Sequence, residues 1–121
     1  MKLYTAARFA GDSEHHMTLS YYGTSKTLEE IKEEGTAALA KLQAAPFSVV
    51  CTERAMFGPR KNVPVLKCPT PVWLAKFVHL TRCDDKYPWS PHITTNLDEL
   101  GVTCDRIAIM HKKEELFTWN L

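Results

Sequence analysis

Alternation of apolar and polar positions predicts that the chain begins with two β-strands. In HHMTLSY, Met17 and Leu19 alternate with polar neighbours, which is the period of a strand with one buried face. KLYTAARF has the composition of a strand, and Gly11 with Asp12 supplies a turn between the two segments. We therefore expect two adjacent strands before residue 24.

A helical period replaces the alternation after Gly23. Thr27 and Glu30 have the spacing of a capping box, and acidic residues crowd the turns that follow. Apolar residues then recur at helical spacing, at Leu28, Ile31, Leu39 and Leu42. The sequence predicts a helix from this cap, in which Gly35 costs about 1 kcal/mol relative to alanine.

The rest of the chain predicts further strands and a second helix. PFSVVCTERAMFG and VPVLKC read as two strands around a polar turn at residues 59–62. TPVWLAKFVHLTRC reads as a helix with Thr70 as N-cap and Pro71 at its first position. HITTN reads as a short strand, and DRIAIMHKKEELFTWNL as a strand with a further edge segment.

The predicted order is β-β-α-β-β-α-β-β. This order indicates an α+β fold, a single domain over residues 1–121 with two helices packed outside a mostly antiparallel sheet. With 121 residues, 45% hydrophobic and 24% charged, the chain has the composition of one globular domain.

Charge and hydropathy narrow the classes of partner. A net charge of +1 provides no field for binding duplex DNA, while a small ligand or a short nucleic-acid end remains compatible. The apolar runs are shorter than a membrane span, and the N-terminus lacks the apolar stretch of a signal peptide. We expect a cytoplasmic protein with no membrane partner that acts as a monomer.

The four cysteines, at positions 51, 68, 83 and 104, include no C-x-x-C pair. This spacing argues against a zinc knuckle or a thioredoxin motif. We expect reduced thiols, mostly in the core. A cysteine-dependent hydrolase is an alternative function, but no cysteine lies in a recognisable nucleophile setting.

A histidine with a threonine two residues later occurs three times among five histidines. The pairs are His16 and Thr18, His79 and Thr81, and His92 and Thr94. Chance produces three such matches about once in a hundred chains of this composition. Residues two apart share a face of a strand, so both side chains of the first and third pairs project together. On a helix they lie about 200° apart, so we expect His79 to have only a helix-terminal role.

Two imidazoles and two hydroxyls in one cleft suit the cleavage of a phosphodiester. Attack at phosphorus needs a base for the incoming oxygen and an acid for the leaving oxygen, and histidine, with a pKa of about 6.5, can supply both. Threonine hydroxyls can donate to the non-bridging oxygens. This set requires no metal or other cofactor. A zinc site is also disfavoured, because His15 faces away from His16 and neither His111 nor a cysteine has a usual ligand spacing.

The segments HMTL and PHITT, separated by a helix, two strands and a helix, resemble the paired H-x-T-x motifs of the two-histidine (2H) phosphoesterases. That superfamily includes the 2′-5′ RNA ligase-like (LigT-like) proteins and the 2′,3′-cyclic nucleotide phosphodiesterases. The Phe-Gly-Pro turn before VPVL and the proline before the second motif add to the resemblance. It implies a bilobal sheet with a central cleft, His16 and His92 as the acid–base pair, and Thr18 and Thr94 as phosphate-orienting hydroxyls.

The resemblance also implies an activity and a substrate class. The expected function is a metal-independent phosphodiesterase acting on RNA-type phosphodiesters: 2′,3′-cyclic phosphates, and 2′-5′-linked or cyclic oligonucleotides. Some virus-encoded members hydrolyse cyclic or 2′-5′ oligonucleotide immune signals, so immune evasion is an alternative role by analogy. A non-catalytic module that binds a nucleotide or an RNA end is another alternative, although it would need no matched acid and base.

Four side chains are candidates for contacts with the rest of the substrate. Tyr22 shares the face of the first His–Thr pair if its strand runs straight, Tyr4 lies on the neighbouring strand, and Trp89 lies in the loop before the last pair. Each ring is a candidate for base stacking. Arg60, in the turn at residues 59–62, is a candidate for a second phosphate. For all four, packing in the core or at the surface is the alternative.

Overall fold

The computed structural model describes residues 1–82 and 88–121, apart from the side chains at positions 12 and 13. Its elements are β1 (Leu3–Phe9), β2 (Asp12–Gly23), α1 (Leu28–Ala40), β3 (Phe47–Cys51), β4 (Glu53–Phe57), β5 (Val63–Lys67), α2 (Val72–Thr81), β6 (His92–Thr94), β7 (Leu100–His111) and β8 (Glu114–Asn120). In this described part of the chain, no helix has the length and apolarity needed to cross a bilayer.

The strands form two sheets. The larger has the order β2-β1-β7-β3 with β8 also paired to β7, and the smaller has the order β4-β5-β6. Each of these pairings is antiparallel. The predicted α+β class, with two helices and a bilobal antiparallel sheet, is therefore confirmed.

The structure has two strands more than the sequence predicts. PFSVVCTERAMFG breaks at Thr52, so that β3 pairs with β7 in the larger sheet and β4 pairs with β5 in the smaller. The alternation of β3 is interrupted by three exposed residues, Thr52, Glu53 and Arg54, and resumes at Ala55. In the sequence this short polar stretch does not show that the two halves pair with different sheets. The C-terminal segment forms two full strands, β7 and β8, around a turn in which Lys112 has a φ of 54°.

The helices begin with local signals. At α1 the Thr27 hydroxyl accepts from the Glu30 amide at 3.2 Å, and the Glu30 carboxylate accepts from the Thr27 amide at 3.1 Å, so the predicted capping box is confirmed. The prediction of Thr70 as N-cap of α2 is wrong. Pro71 has extended backbone and is itself the N-cap, with its carbonyl accepting from the Leu74 amide at 3.1 Å.

A single core cluster joins both sheets and both helices. Its buried residues come from both sheets, both helices and the segment after β5: Ala7, Phe9, Met17, Leu19, Ala38, Cys51, Leu66, Cys68, Leu74, Phe77, Val78, Ile93, Cys104 and Ile107. β2 contributes Met17 and Leu19 to this cluster and β6 contributes Ile93, so the residues on either side of Met17 and of Ile93 face the opposite side of the sheets. That opposite side carries the two strand-borne His–Thr pairs.

Gly35 allows α1 to approach β8 closely. A Cβ atom at this position would lie 2.4 Å from Cζ2 and 2.5 Å from Cη2 of Trp119, whose indole N–H donates to Thr36 Oγ1 at 3.1 Å. Gly35→Ala is therefore expected to lower the free energy of unfolding by about 1–3 kcal/mol, although alanine has the higher helix propensity. Urea denaturation measures the change.

Trp119→Phe removes the two ring atoms that the new methyl group would meet. The cost of Gly35→Ala should therefore be smaller in a Trp119→Phe background than in the wild type. A Gly35→Ala protein more stable than the wild type would show that the helix can move away without cost.

Candidate active site between the two sheets

The His–Thr pairs of β2 and β6 lie where the two sheets contact each other. β2 is the outer strand of the larger sheet, and β6 is the outer strand of the smaller. Trp89, just before β6, donates from Nε1 to the Thr18 carbonyl of β2 at 3.2 Å. The charge of His92 contributes to lowering the pKa of His16, so the two imidazoles lie within electrostatic reach of each other.

Both pairs turn away from the core. Met17 and Ile93, the residues between the histidine and threonine of each pair, are fully buried in the core cluster. The four pair side chains are half-buried, except Thr94, which is exposed. The two pairs therefore project on the side of their strands that faces away from the core.

Each histidine is held by the backbone two residues before it. His92 Nδ1 lies 2.8 Å from the Ser90 carbonyl, and the His16 ring hydrogen-bonds to the backbone of Glu14. A carbonyl only accepts, so Nδ1 of His92 carries a proton, and Nε2 is the nitrogen left to exchange a proton with a ligand. The repeated offset gives both rings the same kind of anchor.

Aromatic rings lie beside both histidines. Phe57, at the end of β4, contacts His92 edge-on, with ring centroids 4.5 Å apart and planes at 65°. Tyr4, on β1, lies 5.9 Å from His16 between ring centroids. Only the Phe-Gly-Pro turn marks Phe57 in the sequence, because its contact with His92 crosses from one edge strand of the smaller sheet to the other.

Burial lowers the pKa of His16 below its ordinary value of 6.5. The hydrogen bond to the Glu14 backbone raises it, while the positive charges of Arg8, His15 and His92 lower it further. A lowered pKa keeps the imidazole neutral near pH 7, which is the state that a general base requires.

The pKa of His16 can be tested without a substrate. In an NMR titration from about pH 4 to pH 9, His16 is expected to titrate below the value of about 6.5 for an unperturbed imidazole. His15→Gln should raise the pKa of His16, because it removes one of the charges that lower it. His79→Gln, at the exposed end of α2, is the matched control and should leave it unchanged. A wild-type value at or above that of a free histidine would contradict this assignment.

Tyr22 does not reach this site, and its predicted position is wrong. Its side chain is 4% exposed, and it packs in the core with Leu3, Ile31 and Ile109. The hydroxyl donates to the Thr81 carbonyl at 2.7 Å, and burial raises its pKa. Tyr22 is a core residue that ties β2 to the end of α2.

A bulge in β2 accounts for this difference. Ser20 pairs with Thr5 and Thr18 pairs with Ala6, so Leu19 is an extra residue in β2. One extra residue inverts the alternation beyond it. Tyr21, paired with Tyr4 and 59% exposed, therefore shares the face of His16 in place of Tyr22. No turn residue marks the bulge in the sequence.

The other predicted contact residues have different positions. Tyr4 is half-buried beside His16, and its hydroxyl donates to the Lys112 carbonyl. Trp89 is half-buried against the core cluster, and its bond to the Thr18 carbonyl links the two sheets. Arg60 is exposed in the turn between β4 and β5.

The three cysteines that the structure describes are buried. Cys51 and Cys68 are free thiols with their sulfur atoms 2.8 Å apart, and Cys104 is also free. Burial raises the pKa of Cys68, and raises that of Cys104 to about 11, so both stay protonated at neutral pH. The expectation that the cysteines lie in the core is confirmed for these three, and Cys83 lies outside the described residues. Over residues 1–82 and 88–121, no three His, Cys, Asp or Glu side chains form a group able to hold a metal ion.

No family model matches the sequence, and no curated protein matches it. Solved structures do share its fold. Escherichia coli LigT in complex with 3′-AMP is 14% identical with a TM-score of 0.66, over 99% of this chain and 97% of that one. The complex of the same protein with ATP is 13% identical with a TM-score of 0.66, over 99% and 96%. A phosphoesterase is 15% identical with a TM-score of 0.63, over 99% and 98%. The chain therefore has the fold of LigT, as the resemblance of its two motifs implied.

Proposed function

We propose that this protein is a 2H phosphodiesterase that cleaves RNA-type phosphodiesters without a metal ion. The observation that carries the proposal is the meeting of two His–Thr pairs at the contact between β2 and β6, with each imidazole anchored to a backbone group two residues earlier. The nucleotide complexes of LigT, with 3′-AMP and with ATP, support a nucleotide as the ligand of this fold.

In the proposed reaction His16 is the general base and His92 the general acid. Burial and neighbouring positive charges keep His16 neutral, so it can accept the proton of the attacking oxygen, from water or a 2′-hydroxyl, as the new P–O bond forms. His92, protonated on both nitrogens, donates from Nε2 to the leaving oxygen as the old P–O bond breaks. The two histidines exchange protonation states in each turnover, and the pH dependence belongs to the coupled pair.

Thr18 and Thr94 are the proposed donors to the non-bridging oxygens. Each hydroxyl projects from the same strand face as its histidine, one on either side of the contact between the sheets. Negative charge builds on these oxygens during in-line attack, and donors already in place stabilise it by about 2.7–4 kcal/mol each. Tyr4 and Tyr21 supply aromatic surface on the same face for a substrate base.

The proposed substrates are 2′,3′-cyclic phosphates, 2′-5′-linked oligoadenylates and cyclic oligonucleotides. A screen of these compounds in the presence of EDTA, with products identified by mass spectrometry, tests the proposal. Chelator-resistant turnover that disappears in a His16→Ala/His92→Ala double variant supports it. Degradation of cyclic or 2′-5′ oligonucleotide signals would be the more specific role, by analogy with virus-encoded relatives. Tight binding in calorimetry without product would instead favour a non-catalytic nucleotide-binding module.

A further inference from the structure

A cavity of about 380 Å³ opens beside His16, and the other three proposed catalytic side chains are not among the residues that line it. Tyr4, Arg8, Glu14, His16 and Lys113 line it. At about 30 Å³ per water molecule, it has room for about a dozen waters, which is enough for a phosphate with its attached sugar. Its lining carries two full positive charges, on Arg8 and Lys113, against the single carboxylate of Glu14.

Arg8 brings its charge next to the proposed base. It lies directly opposite His16 in the β1–β2 register, and such cross-strand partners have Cβ atoms about 4.5–5.5 Å apart on one face. Its side chain is only 5% exposed, so water screens its charge poorly. Burial raises the pKa of Tyr4 and lowers that of His16, and the charge of Arg8 favours the deprotonated form of both groups, so Arg8 interacts electrostatically with two residues of the cavity lining.

Lys113 is held over the cavity by the turn between β7 and β8. The Tyr4 hydroxyl donates to the Lys112 carbonyl, and His111 Nδ1 lies 3.0 Å from the Lys2 carbonyl. These two bonds fasten the turn to the start of β1. Lys113 therefore lines the cavity even though it lies near the far end of the chain from Tyr4.

Arg106 is not part of this wall, although it pairs with Arg8 across β1 and β7. Its guanidinium is bound by Glu115 at 2.9 Å and by Asp105 at 2.8 Å, so its charge is balanced locally. The basic residues that line the cavity are therefore Arg8 and Lys113.

We propose that this cavity binds a second phosphate, next to the phosphate that lies between the two histidines. This inference rests on the proposed function, because it takes the first His–Thr pair as one side of the reaction centre. It makes the preferred substrate an oligonucleotide, linear or cyclic, with a phosphate neighbouring the scissile one. A 2′,3′-cyclic mononucleotide has a single phosphate, so it has no second phosphate to bind in the cavity.

Binding of adenosine phosphates tests the subsite directly. Adenosine 3′,5′-bisphosphate is expected to bind about tenfold more tightly in calorimetry than the better of 3′-AMP and 5′-AMP, because its second phosphate gains charge-assisted hydrogen bonds. Lys113→Gln should abolish this advantage. Lys112→Gln is the matched control, since it removes the adjacent exposed charge of the same turn, and it should retain the advantage. Equal binding of all three compounds, or an advantage that survives Lys113→Gln, would overturn the proposal.

A kinetic comparison separates failure of the subsite from failure of the proposed function. The calorimetry needs no turnover. If the protein binds the bisphosphate preferentially but cleaves none of the substrates, the proposed activity is contradicted and the phosphate subsite is still supported. If the protein is active, a dinucleotide with a terminal phosphate should have a KM about tenfold below that of the same dinucleotide without it. Lys113→Gln should remove that difference by raising the KM of the phosphorylated dinucleotide. An active enzyme with equal KM values for both dinucleotides would reject the subsite.

Discussion

Alanine in place of His16 or His92 is expected to reduce kcat/KM for phosphodiester cleavage by about 10²-fold or more, because each substitution removes one of the two proton transfers. The loss should fall mainly on kcat, since an imidazole that moves a proton acts on the transition state more than on the bound substrate. Steady-state kinetics on the best substrate of the screen, with EDTA present, measures both parameters.

His79→Ala is the matched control for these two variants. His79 carries the third His–Thr spacing of the sequence, but it lies on α2 and not on a strand, and it is exposed. It should keep wild-type activity. The double variant of His16 and His92 should lose less than the product of the two single losses, because the groups act in one concerted exchange. Full activity in both single variants would mean that the chemistry lies elsewhere.

Valine in place of Thr18 or Thr94 keeps the shape of the side chain and removes its hydroxyl. Each change is expected to lower kcat by about 10²-fold with little effect on KM, because the hydroxyl is proposed to donate to charge that develops only during the reaction. Thr103→Val controls for the loss of a strand threonine. Thr103 is exposed on β7 with its hydroxyl 2.8 Å from Ser48 Oγ, and its removal should leave kcat unchanged. A loss confined to KM would assign the two hydroxyls to substrate binding alone.

Local interactions explain what the sequence predicts correctly. The capping box of Thr27 and Glu30 and the alternation around Met17 involve neighbours a few residues apart, so the chain itself displays them. The same alternation places the side chains of His16 and Thr18 on one face before any tertiary contact is known.

Long-range pairing explains what the sequence does not predict. The extra residue at Leu19 shows only in the register against β1, and it exchanges Tyr22 for Tyr21 on the site face. The change of sheet at Thr52 depends on which partner each half-strand finds. Lys113 reaches the cavity because a turn more than a hundred residues from Tyr4 is bound to β1. None of these long-range contacts produces a local sequence pattern from which it could be predicted.

The matching anchors of the two imidazoles, each to a backbone group two positions upstream, have a consequence for the direction of catalysis. If the two His–Thr pairs were equivalent, a phosphodiester could bind between them in either direction. Either histidine could then act on the attacking group and the other on the leaving group. The burial that lowers the pKa of His16 and the basic residues beside it remove that equivalence. In the proposed mechanism, the direction in which an oligonucleotide lies across the site, and hence which of the two ester bonds is broken, would be decided by this electrostatic asymmetry between two similar halves.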